Sequence, residues 1–345
     1  MPNDRSEAAW IDAFEATFRA SGVAEGEPAI ILSESRSRAV NVHLAELALA
    51  RIGARFFNLC VQSPAEEGGP ILRSTGMSMA LDGQDAAVDA LKSVSFIADL
   101  TLEGLMHARQ TGAILQSGAR ILTISDEHPG ILARMPPDPT LKEACLGAAR
   151  KCRGAARMQV TSPVGTDLTV AMAGASTVGV WGYTDRPGTL AHWPGGIVVS
   201  FPAAGSVNGR LVFRPGDMNL TFKRYFESEV IFTLADDYVT EIAGTGADAR
   251  LMRDYLESFG DPDAYATSHV GWGLNPGARY EALTMYDRRD LNGTELRAVA
   301  GNFLYSTGAN EFAGRFTRGH FDLPMMGCTI RLDEEVVVED GVPVR

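Results

Sequence analysis

Between residues 6 and 21 the aromatic positions Trp10, Phe14 and Phe18 recur every four residues. That is the spacing of a single buried stripe, and it predicts an amphipathic helix. The run PAIILSES (28–35) is instead almost continuously apolar at its start, as a strand covered on both faces would be. The two textures then alternate. RAVNVHLAELALARIG (38–53) reads as a helix and RFFNLCVQ (55–62) as a strand. DAAVDALKSV (85–94) reads as a helix, FIADLT (96–101) as a strand, GLMHARQTGAIL (104–115) as a helix and RILTIS (120–125) as a strand. Strand and helix trading places over about 120 residues predict a mainly parallel sheet sandwiched between helices. Pro136-Pro137-Asp138-Pro139 interrupts this pattern, and residues 140–155 read as one connecting helix. From residue 156 the apolar runs shorten and lie between Gly, Pro, Asn and Asp turns: MQVTSP, DLTVAMAG, GIVVSFPA, GRLVFRP and EVIFTLADDYVTEI. One helix, at 246–259, interrupts them. The expected organisation is an α/β domain over 1–155, contributing to a substrate pocket, followed by a β-rich α+β domain over 156–345.

Composition narrows the function classes. With 45% hydrophobic and 21% charged residues the chain has ordinary globular character. Its 31 basic residues against 43 acidic ones give a net charge of -12, which repels phosphate backbones and argues against nucleic acid as a partner. No run of 18 uncharged apolar residues exists, and MPNDRSEAAW lacks an apolar signal core, so no membrane partner and a cytoplasmic location are expected. The four cysteines (Cys60, Cys145, Cys152, Cys328) contain no C-x-x-C pair, which speaks against a zinc ribbon or a disulfide framework. After the first strand Ser33-Glu34-Ser35-Arg36 stands where a G-x-G-x-x-G turn would be needed for a dinucleotide.

Candidate chemistry gathers near the C-terminus, at Gly319-His320-Phe321-Asp322-Leu323-Pro324. In an extended backbone His320 and Asp322 leave the same face about 6.5–7 Å apart, so an imidazole and a carboxylate can converge on one ion. A second histidine would complete the two-His-one-carboxylate set that leaves positions open on Fe(II). No histidine follows Asp322, which excludes the His-x-Asp…His order of one group of iron oxygenases. His269, in Ser268-His269-Val270-Gly271-Trp272-Gly273, is the best-placed upstream partner. His192 lies beside Trp193 in another glycine-rich stretch, where an imidazole and a stacking ring could orient a planar substrate. His107 falls in the predicted helix 104–115, where a surface or capping role is the plain reading. Asn302, Tyr305 and Ser306 precede the motif and are candidates to line the same cavity. Each of these also has a structural alternative left open at this point: a surface pair, a turn or a helix cap.

Taken together, Val160-Thr161-Ser162-Pro163-Val164-Gly165-Thr166-Asp167-Leu168, His192-Trp193-Pro194-Gly195-Gly196, the His269 loop and His320-Phe321-Asp322 resemble the 2,5-dihydroxypyridine 5,6-dioxygenase family. Its members open the ring in bacterial nicotinate and nicotine degradation, and the similarity runs over essentially the whole chain. The family is related in fold to the thermophilic aminopeptidases, two-metal peptidases with a similar C-terminal His-x-Asp. The resemblance implies a single Fe(II) held by His269, His320 and Asp322, making the β-rich domain the metal-binding one. It implies that His107 and His192 face the substrate as candidate bases, with Ser306 as a substrate contact; Trp193, the ring beside His192, is expected as a further substrate contact from the residue reading above. It further implies a homo-oligomer, a hexamer, that takes 2,5-dihydroxypyridine and O₂ to N-formylmaleamate. The alternative is a dinuclear aminopeptidase. Against it, the peptidases are expected to carry a glutamate where His269 stands, and an imidazole supplies neither the charge nor the bridging oxygen that two close cations need.

Overall fold

The computed structural model describes residues 6–65 and 75–344. The first half alternates as the pattern predicts. Its elements are α1 (Ala8–Ala20), β1 (Pro28–Glu34), α2 (Ala39–Ile52), β2 (Arg55–Val61), α3 (Asp85–Lys92) and β3 (Phe96–Asp99). Then come α4 (Thr111–Gln116), β4 (Arg120–Thr123), α5 (Pro129–Arg134) and α6 (Pro139–Gly154). The connecting helix α6 starts where the proline run ends: Pro139 sits in its first turn, and the Asp138 carboxylate accepts from the Thr140 amide at 2.8 Å.

The second half is mostly strand: β5 (Arg157–Thr161), β6 (Asp167–Ala171), β7 (Ser176–Val180), β8 (Leu190–His192), β9 (Ile197–Phe201) and β10 (Val207–Phe213). A short pair, β11 (Met218–Asn219) and β12 (Arg224–Tyr225), leads to β13 (Val230–Ala235), β14 (Tyr238–Ala243) and the one longer helix, α7 (Ala247–Glu257). β15 (Thr267–Gly273), α8 (Ala282–Met285), α9 (Thr294–Arg297), β16 (Phe303–Thr307) and β17 (Phe321–Met325) follow. β18 (Thr329–Leu332), β19 (Glu335–Glu339) and β20 (Val342–Pro343) end the chain.

Among the described residues these strands build a five-stranded parallel sheet in the order β2-β1-β3-β4-β8 and two antiparallel sheets besides the short β11-β12 pair. One has eight strands, β14-β13-β10-β6-β5-β18-β19-β20; the other has five, β17-β16-β15-β9-β7. The five-stranded antiparallel sheet is the middle layer. Val198, Val270, Trp272, Phe303, Tyr305, Phe321 and Leu323 pack against the eight-stranded sheet. The intervening Ile197, Val199, Phe201 and Leu304 pack toward the parallel half, with Phe14, Phe18, Leu44 and Phe96. This is the period-two alternation of a strand buried on both faces.

The structure refines the sequence reading at three places. The segment 104–115 is helical only from Thr111, because the Asp99 carboxylate accepts from the Thr101 amide (3.1 Å) and the Leu105 amide (2.8 Å) and holds residues 100–110 as a loop. The run 229–242 is a hairpin turned at Asp236 and Asp237, both at positive φ (48° and 79°). The change of texture at 155 does not mark a division between self-contained layers, since β8, the fifth strand of the parallel sheet, comes from beyond it.

Candidate active site

In the middle sheet the residues that do not feed the eight-stranded core face the parallel half. Val270, Tyr305, Phe321 and Leu323 point one way. By alternation His269, Ser306, His320 and Asp322 point the other. Ser306 and Asp322 are direct cross-strand neighbours on β16 and β17, and a register shift in β15 between Thr267 and Val270 falls at His269. A bulge of this kind re-aims a side chain. His269 Nε2 stands 3.9 Å and His320 Nε2 3.3 Å from the Asp322 carboxylate, and the two imidazole rings are 6.0 Å apart between centroids. The Phe201 ring stacks on His269 at 5.3 Å with 9° between planes. All three side chains are buried. The sequence-predicted triad thus comes together.

Its electrostatics suit ligation. Burial pushes the His269 imidazole down to about 3, so it is neutral with one ring-nitrogen lone pair available. Burial alone would raise the Asp322 carboxyl, yet Arg297 and then His320 and His269 hold it well below the usual carboxylate range. Arg297 Nε lies 2.5 Å from Oδ2, and the Ser306 hydroxyl donates to Oδ1. The His269 Nδ1 atom is buried with no hydrogen-bond partner. Among the described residues no group of three or more His, Cys, Asp or Glu side chains is placed to hold a metal ion as it stands, and both Asp322 oxygens are engaged, with Arg297 and Ser306. Two donors held at right angles about 2.1 Å from an ion stand about 3 Å apart; the His320–Asp322 separation of 3.3 Å is near that value and the His269–Asp322 separation of 3.9 Å is longer. Two imidazoles and one carboxylate facing the same space are a donor set that suits a divalent cation.

The parallel half supplies the opposite wall. A cavity of about 620 Å³ lies between the halves, and His107, His192, His269, Arg297, His320 and Asp322 all line it. His107 sits in the loop after β3, and His192 ends β8 beside Thr123 of β4. Both are at the carboxyl edge of the parallel sheet, where such sheets bind ligands. His192 Nδ1 is 2.7 Å from the Pro194 carbonyl oxygen. A carbonyl only accepts, so Nδ1 carries the hydrogen and Nε2 keeps its lone pair. Burial pushes this imidazole down to about 4 despite that bond. His107 Nδ1 lies 2.9 Å from Glu311 Oε1, and its ring centroid is 6.2 Å from that of His320.

Other expectations do not survive the geometry. Trp193 does not line the cavity: its ring packs on Phe14 at 5.2 Å and its Nε1 donates to the Met135 carbonyl at 2.8 Å, anchoring the core. Ser306 is fully buried and its hydroxyl is committed to Asp322, so it orients the carboxylate instead of touching a ring. Tyr305 turns into the eight-stranded core and bonds Thr267. The Asn302 side chain bridges the Gly273 amide and the Leu296 carbonyl. Two residues escaped the sequence reading, Arg297 and Glu311. Neither belongs to a motif, and both act on partners that only the fold brings near.

Comparison with known proteins sharpens this picture. The model of the 2,5-dihydroxypyridine 5,6-dioxygenase family matches residues 9–345. The 2,5-dihydroxypyridine 5,6-dioxygenase of Pseudomonas putida is 34% identical over 333 residues, covering 95% of this chain and 94% of that one. The solved structure of the 2,5-dihydroxypyridine dioxygenase from Pseudomonas putida KT2440 superposes with a TM-score of 0.93 at 33% identity, over 99% of this chain and 98% of that one. Wild-type AmpT from Thermus thermophilus shares the fold at a TM-score of 0.63 and 14% identity, covering 98% and 99% of the two chains. The protein is therefore a dioxygenase, and the peptidase alternative is the less favoured one. Within that class, the chain belongs to the 2,5-dihydroxypyridine 5,6-dioxygenase family.

Proposed function

We propose that this dioxygenase works with one Fe(II) held by His269, His320 and Asp322 and opens 2,5-dihydroxypyridine between C5 and C6 to N-formylmaleamate. The observation that carries the reading is the convergence of these three side chains on a cavity that His107 and His192 enter from the other side. Iron, when bound there, would supply the electrons that make O₂ reactive toward the ring. Arg297 and Ser306 fix the orientation of the Asp322 carboxylate. The substrate's two oxygens are para to each other and cannot chelate, so protein groups must place the ring. His107 takes the 5-hydroxyl proton at Nε2, leaving the electron pair on the ring oxygen and enriching the ring. His192, backed by a neutral carbonyl, stays uncharged and accepts a hydrogen bond that orients the substrate. Phe201 and Phe312, 5.3 Å apart, form the apolar wall beside His269. A cytoplasmic homo-oligomer, hexameric by the family resemblance, belongs to the same reading.

Elemental analysis of anaerobically purified protein, followed by O₂ uptake with 2,5-dihydroxypyridine, tests it. The expected result is about one iron per chain, one O₂ consumed per ring opened, and loss of both iron and activity in Asp322→Ala. Full iron occupancy in Asp322→Ala would refute the ligand assignment. Two zinc or cobalt ions with hydrolysis of a leucine anilide would refute the dioxygenase chemistry itself.

A further inference from the structure

Glu311 reaches the cavity from a stretch of the chain that carries no recognisable motif. It opens a single 3-10 turn, Glu311–Ala313, and the turn is braced on both sides. The Asn310 side chain, fully buried, donates to the Pro202 carbonyl at 2.9 Å and accepts from the Ala313 amide at 3.2 Å. Beyond the turn the Arg315 guanidinium lies 2.8 Å from the Asp237 carboxylate and 2.7 Å from the Thr267 carbonyl, all buried. His107 is held as firmly from its own side. Its amide donates to the Gly76 carbonyl at 2.7 Å, and its loop is tied to Asp99. Two braced segments 204 residues apart in sequence thus meet in one 2.9 Å contact.

The direction of that contact is fixed by chemistry. Burial would raise the Glu311 carboxyl, yet the hydrogen bond from His107 holds it below its ordinary value, as a carboxylate. A carboxylate only accepts. Nδ1 of His107 therefore carries the hydrogen, and in the neutral imidazole the lone pair is on Nε2. His192 has the same tautomer, but a neutral carbonyl sets it. Of the two, His107 is the one with a full negative charge behind its ring.

We propose that Glu311 is a positioning residue for the reaction: it holds His107 in the tautomer with a free Nε2 and stabilises the imidazolium formed when that nitrogen accepts the substrate's hydroxyl proton. In this step the O–H bond breaks, its electron pair stays on the ring oxygen, and the positive charge appears on the imidazole facing Glu311. The inference rests on His107 being the base, as proposed above.

The test is a double-mutant cycle of Glu311→Gln and His107→Ala, measured on iron-loaded enzyme with 2,5-dihydroxypyridine. Gln keeps the shape but loses the charge and allows the opposite tautomer. Glu311→Gln is expected to lower kcat about 100-fold with KM within about twofold, and with iron content and melting temperature unchanged. In the His107→Ala background it should add less than about twofold. A kcat near wild type in Glu311→Gln, or an equal loss with and without His107, would overturn the proposal. A normal kcat in His107→Ala would instead overturn the base assignment on which it rests. If Glu311→Gln does not fold, Glu311→Ala at this 32% exposed side chain serves in its place, with the same loss expected and a wild-type kcat overturning it.

Discussion

Asp322 is the residue at which the site is tied together. One carboxylate meets Arg297, Ser306, His320 and His269, and each partner makes its ionised form cheaper in a buried place. The His320-x-Asp322 spacing was legible because strand geometry alone puts both side chains on one face. Arg297 and Glu311 were not, because a lone Arg or Glu says nothing until the fold sets a partner against it. Trp193 was misread for a related reason: an aromatic beside a histidine looks like a stacking platform, yet successive strand residues point to opposite faces. His192 permits a prediction at this scale. Its imidazole is held near 4, below the ordinary value of 6.5. Between those two values the unfolded chain binds a proton that the folded chain does not, so stability falls as pH drops through this window. The loss is on the order of 3 kcal/mol. Urea unfolding of wild type and His192→Gln from pH 7 to pH 4 should show the wild type losing more of its midpoint. Parallel curves for the two proteins would mean that His192 is not held neutral.

Whole elements were legible where a period ran long enough. Strand–helix alternation placed β1 to β4 and α1 to α3. The failure was 104–115, whose apolar spacing suits a helix but whose first residues are claimed by Asp99. Local side-chain bonds of this kind compete with helix hydrogen bonding, and here the outcome positions the site, because the resulting loop carries His107. Gly104 is its hinge point, at φ +81°, where an added Cβ would come 2.6 Å from Thr123 Cγ2. Gly104→Ala must therefore accept backbone strain and push on the residue whose hydroxyl donates to Asp99 at 2.9 Å. The expected cost is about 1–3 kcal/mol of stability, with kcat lowered and iron content unchanged, since the proposed metal ligands lie on a different sheet. Calorimetry, iron analysis and O₂ uptake on one preparation check all three. Wild-type kcat in a destabilised Gly104→Ala would separate the loop from the chemistry.

At the scale of the molecule, composition located the change from α/β to β-rich texture but not how the two halves divide the core. The parallel sheet ends in β8, drawn from residues 190–192. The core around Phe14, Phe18 and Leu44 is completed by Val180, Trp193, Val199 and Leu304 from the second half. Neither the strand order nor this shared core leaves a trace in local sequence, because both depend on contacts between residues far apart. The cavity follows the same division, with His107 and His192 on one wall and the triad on the other. Folding and function are then coupled: the walls can face each other only if the halves pack as one body. A fragment comprising residues 1–155 should lack both the edge strand and the cover for its apolar face, and an exposed strand edge with uncovered Phe and Leu side chains favours aggregation. The full chain should unfold in one calorimetric transition, whereas the fragment should show no cooperative transition of its own. A fragment that melts cooperatively, or two separated transitions in the intact protein, would mean that residues 1–155 fold autonomously. The cavity would then form by docking of finished domains, not by completion of a shared core.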